Sequence, residues 1–180
     1  MKLPREIWLP VVGYETAYEV SDIGRVRSLP RTIMRRNGSP QTIVGGIRAT
    51  PPLGGGYPSL MLHHKGKKTT VYVHHLVAAA FIGPRPRGKE VAHSDGKKAN
   101  CALRNLRYAT PVENDADKIA HGTRSEGVKN GHAKLTDDQV RKIRRLSSVG
   151  ARHVDLAAVY GVVPTVILKI AKGYSWRHIL

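Results

Sequence analysis

The sequence predicts an α+β protein in three small parts: a β-rich N-terminal module, a central ββα unit and a C-terminal three-helix module. Three observations carry that reading. Short alternating apolar stretches, punctuated by glycine, fill residues 1–65. Residues 91–118 read VAHSDGKKANCALRNLRYATPVENDADK, which is strand, tight polar loop, strand and capped helix. From Thr136 onward the apolar spacing turns helical, and Gly150 and Gly161 divide it into three helices. The expected divisions are 1–65, 66–122, a Gly- and charge-rich linker at 123–131, and 132–180. A length of 180 residues accommodates small modules, and 6% aromatics limits the core that each can build.

The charge is the strongest compositional fact. There are 30 lysines and arginines against 13 acidic residues, a formal net charge of +17. A surface of that sign attracts polyanions, nucleic acid first among them. Cys101 is the single cysteine. That excludes an intrachain disulfide framework and a Cys-rich zinc knuckle, and it suits a reducing compartment. The N-terminus has no long apolar run and is not a secretory signal. LVAAAFI at 76–82 is too short to span a bilayer. The expectation is a soluble, cytoplasmic monomer with no membrane partner and no small-molecule substrate.

In the first module, Trp8, Val11 and Val12 lead into Gly-Tyr-Glu at 13–15. Tyr18, Val20 and Ile23 flank the turn signal Ser21-Asp22, and Gly24 restarts a strand at 25–29. Alternation puts Val26 inside and Arg25 and Arg27 outside. Arg35 and Arg36 carry the basic face to a turn at Asn37-Gly38. Any one of these arginines is explained by a solvated strand face; their clustering fits phosphate contact. Residues 57–62 read as a strand, 65–68 as a hairpin tip and 69–73 as the partner strand. His63 and His64 lack an i,i+4 mate or a nearby carboxylate and read as surface residues. Residues 74–81 are helical, with Leu76, Ala79 and Ala80 on one face, until Gly83-Pro84 ends the helix. Residues 85–89 form a stiff basic connection.

In the last module Thr136 is an N-cap, and Asp137 and Asp138 suit the first-turn dipole. Val140, Ile143 and Leu146 form the apolar stripe, with Arg141, Lys142, Arg144 and Arg145 covering the rest. A second helix at 152–160 draws on Val154, Leu156, Ala157 and Val159. Gly161 makes the turn, and Pro164 opens a third helix to about 172. Helix, tight turn, helix is the spacing of a DNA-reading helix-turn-helix, with a plain helical hairpin as the alternative. Thr165, Lys169 and Lys172 on the third helix would meet bases and phosphates. Trp176 is expected to pack back on the helices.

The central unit carries the chemistry. Phosphodiester hydrolysis needs a base for the attacking water, a charge to neutralise the phosphate and help for the leaving oxygen. Histidine titrates near neutrality, so His93 suits the base. Thr110 as N-cap, Pro111 at the first helical position and Glu113 three residues after the cap form a capping box. It places Asn114 in the first helical turn, facing the strand pair with an amide oxygen.

HSDG at 93–96, Asn100, NLRY at 105–108, Thr110 and Glu113-Asn114 resemble the HNH endonuclease family, in its phage- and intron-encoded homing type with a ββα-metal fold. VHHLVAAAF at 73–81 resembles the segment leading into that motif. WLPVVGYETAYEVSDIGRVRSL at 8–29 is similar to the nuclease-associated modular domain that often precedes it, and the C-terminal module looks like the helix-turn-helix appended to many such proteins. The resemblance implies a metal-dependent endonuclease that nicks or cleaves double-stranded DNA, with one divalent ion, Mg2+ or Mn2+. It implies His93 as general base, Asn105 holding the loop and orienting the histidine, and Asn114 as metal ligand. Lys97, Lys98 and Arg107 would contact phosphates near the cut.

One departure stands out. Many relatives carry a carboxylate or amide just before the base histidine, and here that residue is Ala92. Asp95, a loop-shaping residue by the resemblance, and His74 are the candidates to compensate as metal ligands. Ala92 also favours an alternative, a catalytically weak or inactive sequence-specific DNA-binding protein on a degenerate core. A third reading, an RNA-binding or scaffold protein, is opposed by the dearth of aromatic stacking motifs.

Overall fold

The computed structural model describes residues 5–64, 66–125 and 127–179. They fall into two compact units, Met1–Gly122 and Thr123–Leu180.

In the first unit β1 (Trp8–Pro10), β2 (Tyr18–Ser21) and β3 (Val26–Ser28) run antiparallel. β4 (Arg31–Met34) and β5 (Pro40–Ile43) form a separate hairpin about Asn37-Gly38. The Asn37 side chain shapes that turn by accepting from the Ser39 N–H. β6 (Gly46–Ile47) returns to the edge of β3, giving the order β1-β2-β3-β6. β7 (Pro52–Leu53), β8 (Tyr57–His64) and β9 (Lys67–Tyr72) make a three-stranded sheet. Its hairpin strands run further than the composition suggested, and Lys65 at the expected tip lies outside the described residues.

α1 (Val73–Val77) follows and continues into a π-helical turn at Ala78–Ile82. The wider turn rotates the chain, so the fully buried seam is Val73, His74, Leu76, Val77 and Ala78, while Ala79 and Ala80 are half-buried. β10 (Glu90–His93) and β11 (Leu106–Ala109) pair as a ribbon, and α2 (Pro111–Ala120) starts from the Thr110–Glu113 capping box.

The boundary expected at 65/66 has no counterpart in the packing. One buried cluster takes Val11, Tyr18, Val20 and Val26 from the first strands, Leu60 and Leu62 from β8, Val73, Leu76 and Val77 from α1, and Cys101 and Leu106 from the ribbon segment. The reason is physical: the first strands are three or four residues long and offer too little apolar surface to close a core alone.

In the second unit α3 (Asp137–Ser148), α4 (His153–Tyr160) and α5 (Pro164–Ala171) enclose Leu135, Val140, Ile143, Leu156, Ala157, Ile167, Ile170 and Ile179. Thr136 caps α3 through a box with Gln139. The chain turns by 111° between α4 and α5, within the range of helix-turn-helix pairs. Val154 and Val159, expected inside, are 59% and 76% exposed, because eight-residue α4 turns only Leu156 and Ala157 fully inward. Residues 123–131, expected as a linker, belong to this unit and include a turn at Gly127–Lys129. Gly127 has φ +57, and a Cβ there would meet the His178 ring and crowd Trp176. Among the described residues no single helix is long and apolar enough to cross a membrane.

Arg144 departs from the solvated face expected of it. Its guanidinium donates to the carbonyls of Ile170, Ser175, Trp176 and Ile179. It ties α3 to the last turn of α5 and the C-terminal segment by donating to backbone carbonyls there. Arg144→Met should keep the aliphatic packing and lose the donors, destabilising this unit by about 2–4 kcal/mol. Urea denaturation followed by Trp176 fluorescence checks this, and an unchanged midpoint would remove Arg144 from the account.

Candidate active site

The site is built on the β10–β11 ribbon. Its register pairs Glu90 with Ala109, Val91 with Tyr108, Ala92 with Arg107 and His93 with Leu106. Side chains alternate across a strand. Glu90, Ala92 and Arg107 face α2, where Asn114 donates from Nδ2 to Glu90 at 2.8 Å and Arg107 pairs with Asp117 at 2.5 Å. Val91 and His93 face the core side, where the His93 ring lies 5.0 Å from His74 of α1 and 5.8 Å from Tyr57 of β8. The candidate base and the candidate oxygen ligand therefore occupy opposite faces of one ribbon.

The loop between the strands is held by its own side chains. Asn105 accepts from the Asp95 N–H at 2.9 Å and donates to the Asp95 carboxylate at 2.9 Å and the Asn100 carbonyl at 2.8 Å. Asp95 also accepts from Asn100 Nδ2 and the Lys97 N–H, both at 2.8 Å. The Asn100 amide, with the Lys97 N–H, draws the Asp95 carboxyl down to about 2. Both Asp95 oxygens are thus committed to the loop, which leaves it a shaping residue rather than a metal ligand. Asn105 reaches His93 only through the backbone: the Ser94 N–H donates to the Asn105 carbonyl, and the Gly96 N–H donates to that of His93.

His93 is buried, and its Nε2 has no hydrogen-bond partner among the described residues. Burial is the main cause that lowers its pKa, with the Asp95 charge opposing. An imidazole so placed is neutral at physiological pH and has a lone pair to offer. His74 is more deeply affected: burial, then His75 and His93, push it down to about 3. It stacks on Tyr72, and its Nδ1 is also unpartnered. His74 does approach His93, as one compensation for Ala92 required, but it brings nitrogen rather than a hard oxygen.

Period-two reading should have found Glu90, which sits two residues before Ala92 and so on the same face. Its carboxylate beside the Asn114 amide offers the charged oxygen that Ala92 lacks. Amide oxygen and nitrogen are interchangeable by a ring-free flip of the side chain. Asn114 can therefore turn Oδ1 toward a cation that also meets Glu90, a donor pair suited to a hard divalent ion. Cys101, beside His74 and His93, had no local signal at all.

Several basic candidates are partly occupied within the protein. Arg25 pairs with Glu6 and Arg27 with Glu19, and both lie over the Trp8 ring. Arg35 donates to Gln41, and Lys98 donates to the Gly55 carbonyl at 2.9 Å over the Tyr57 ring. Arg36, Lys97, Thr165, Lys169 and Lys172 are exposed, and the last three share one side of α5 and its C-cap.

The segment from β9 into α2 lies within a matched family motif. An HNH endonuclease family model matches residues 71–116, and a NUMOD4 motif model matches residues 6–63. The chain is 34% identical over 125 residues to YosQ of the SPbeta prophage of Bacillus subtilis (strain 168), assigned to the HNH homing endonucleases; the match spans 68% of this chain and 72% of that protein. It is 32% identical over 116 residues to the DNA endonuclease I-HmuI of Bacillus phage SP01, spanning 64% of this chain and 59% of that one. Protein 7.7 of Escherichia phage T7 is 31% identical over 114 residues, 63% of this chain and 83% of that one. A solved structure of the HNH homing endonuclease I-HmuI, described as showing DNA binding and cleavage, shares the fold with a TM-score of 0.53 at 24% identity, covering 93% of this chain and 91% of that one.

The buried histidine makes stability pH-dependent. His74 has a folded pKa of about 3 against an ordinary 6.5, so between those values the unfolded chain binds more protons. The stability it contributes is complete above about pH 6.5 and is lost as pH falls toward 3, by at most about 1.4 kcal/mol per pH unit. Unfolding midpoints measured from pH 7 to 4 in chelator should fall less steeply for His74→Phe than for the wild type. Parallel curves would count against a neutral buried His74.

Proposed function

The chain belongs to the HNH homing endonuclease family, and we propose that His93, Asn105, Asn114 and Glu90 divide the work of cutting DNA. The protein is a DNA endonuclease, a hydrolase of phosphodiester bonds. His93 carries the assignment: a buried imidazole with an unpartnered Nε2, at the end of a ribbon strand inside the matched motif. In this reading the His93 imidazole takes a proton from water as the water oxygen bonds to phosphorus, while the bond from phosphorus to the leaving sugar oxygen breaks.

Asn105 is a positioning residue, since it fixes the strand end through the loop and does not touch the reacting atoms. HNH nucleases use a divalent metal. Asn114 and Glu90 are the donors that fit one here, and a hard ion such as Mg2+ would neutralise phosphate charge and stabilise the leaving oxygen. The double-stranded DNA would be met by Arg36, Lys97 and the exposed face of α5 with Thr165, Lys169 and Lys172, the protein acting as a monomer. Arg25, Arg27, Arg35, Lys98 and Arg107 would join only where phosphate displaces their internal partners. A catalytically weak DNA-binding protein is the second reading, and Ala92 is the observation that favours it.

Two predictions follow from these roles. His93→Ala should slow single-turnover nicking by about 10²–10⁴-fold while leaving DNA affinity nearly intact. A base must be deprotonated to act, and burial lowers the pKa of His93. The acid limb of the wild-type rate profile should therefore have its midpoint below the ordinary histidine value of 6.5. Equal rates for the two proteins would end the assignment.

The second concerns the ion. Glu90→Gln keeps an acceptor for the Asn114 amide and removes the charge, so it should raise the Mg2+ needed for half-maximal nicking. Ala92→Asp adds a carboxylate on the same face and should lower it. Superimposable Mg2+ titrations for all three proteins would mean that this face of the ribbon does not hold the metal.

A further inference from the structure

On the other face of the ribbon three side chains form a second donor set. One ring nitrogen each from His74 and His93, and the Cys101 sulfur, all lie within 4.8 Å of one another. They come from three segments: the first turn of α1, the end of β10 and the loop before β11. They are 5%, 9% and 4% exposed. The thiol is set from outside the motif, since Gly24 packs so closely that a Cβ there would lie 2.8 Å from the Cys101 Cβ.

We infer that His74, His93 and Cys101 bind a thiophilic transition-metal ion, with Zn2+ preferred over Mg2+, and that the bound ion silences the nuclease by occupying His93. The inhibitory half rests on the assignment of His93 as general base; the metal site does not.

Two observations beyond proximity point to a ligand. His74 Nδ1 and His93 Nε2 are buried with no hydrogen-bond partner among the described residues. Buried polar atoms are nearly always satisfied, and leaving one unsatisfied costs about 1–3 kcal/mol. A metal ion between the rings would satisfy such nitrogens.

The donor types then select the ion. Two imidazoles and a thiolate suit Zn2+ and disfavour Mg2+, which takes oxygen. Zinc–nitrogen bonds of about 2.0–2.1 Å and a zinc–sulfur bond of about 2.3 Å put these tetrahedral donors roughly 3.3–3.6 Å apart. Separations of no more than 4.8 Å leave only ring and thiol rotation to reach that spacing. Ligation replaces the S–H bond with an S–Zn bond, and the proton goes to solvent. Three protein donors leave a fourth position for water, the pattern of an exchangeable site rather than a closed structural one. The hard oxygen donors Glu90 and Asn114 lie on the opposite face, so the two ions would not compete for ligands.

The test uses the full-length, chelator-treated protein with Co2+ as the probe. One Co2+ per chain should give the intense visible bands of a tetrahedral site and a thiolate-to-cobalt charge-transfer band in the near-ultraviolet, both abolished by stoichiometric Zn2+. Cys101→Ala should lose the charge-transfer band, and His74→Ala should weaken the tetrahedral bands. A wild-type spectrum with only weak octahedral bands and no charge transfer would overturn the site, whatever the variants do.

In the nicking assay at saturating Mg2+, Zn2+ should inhibit the wild type. Cys101→Ala should keep the basal rate and need at least about tenfold more Zn2+, since even outer-shell losses cost about 10–100-fold in affinity. A charge-transfer band together with Zn2+-insensitive nicking would confirm the metal site and overturn the inhibitory half, and with it His93 as the base.

Discussion

The end of the ribbon depends on one side chain, the Asn105 amide. It is buried, accepts from the Asp95 N–H and donates to the Asp95 carboxylate and the Asn100 carbonyl. A neutral group that donates and accepts at once is required: aspartate could not donate, and glutamine would need another bond of reach. The closed loop runs from His93, the last residue of β10, past Cys101 to the start of β11. Asn105 therefore sets where the imidazole leaves the sheet and where the thiol returns to it. The loop is also joined to the first strands, because the Leu103 N–H donates to the Asp22 carbonyl at 2.7 Å. The turn that carries Gly24 against Cys101 is the same turn. A loop that looks local in sequence is thus part of the shared core.

That coupling explains what the sequence alone could and could not reveal. The capping box at Thr110, the N-cap at Thr136, the turn at Asn37-Gly38 and the break at Gly161 were legible because each is decided by residues within a few positions. The HNH motif was legible for the same reason, since its spacing is a local loop and a helix start. The single core under residues 1–122 was not, because its apolar pairs join strands to a helix far along the chain. Arg144 was misread as solvated for a related reason: its acceptors lie 26 to 35 residues away. Cys101 carried no signal because its partners are gathered only by the folded loop and α1.

The same distinction governs the charge. A net +17 is visible in composition, yet it does not say which cations remain on the surface. Arg25 and Arg27 bracket Trp8 and pair with Glu6 and Glu19, which makes them part of the strand packing as well as of the field. Arg107 links β11 to α2 through Asp117. Such exposed or half-exposed pairs contribute little to stability, and a phosphate can compete for the guanidinium. The long-range attraction to a polyanion survives pairing only as net charge, whereas in the proposed reading close contacts would fall to exposed side chains such as Lys169 and Lys172 on the C-terminal unit.

The ribbon separates two kinds of ligand by the geometry of a strand. Alternation puts Glu90 and Ala92 toward the oxygen-bearing helix and His93 toward nitrogen and sulfur. Moving a carboxylate from position 92 to position 90 preserves the face but shifts the backbone by about 6.6–6.8 Å along the strand. A glutamate is only one methylene longer than an aspartate, so it recovers a small part of that shift. A hard ion held by Glu90 and Asn114 would consequently sit further from His93 than one held at position 92. Its shell would have to be completed by waters and by the phosphate itself, which Mg2+ accepts readily. In the proposed reading Ala92 would loosen the metal's link to the base without removing the metal's face, and the binding of ion and DNA would become more strongly interdependent. The opposite face has the reverse property: its donors are already gathered around His93, so any soft ion that enters would engage the proposed base directly.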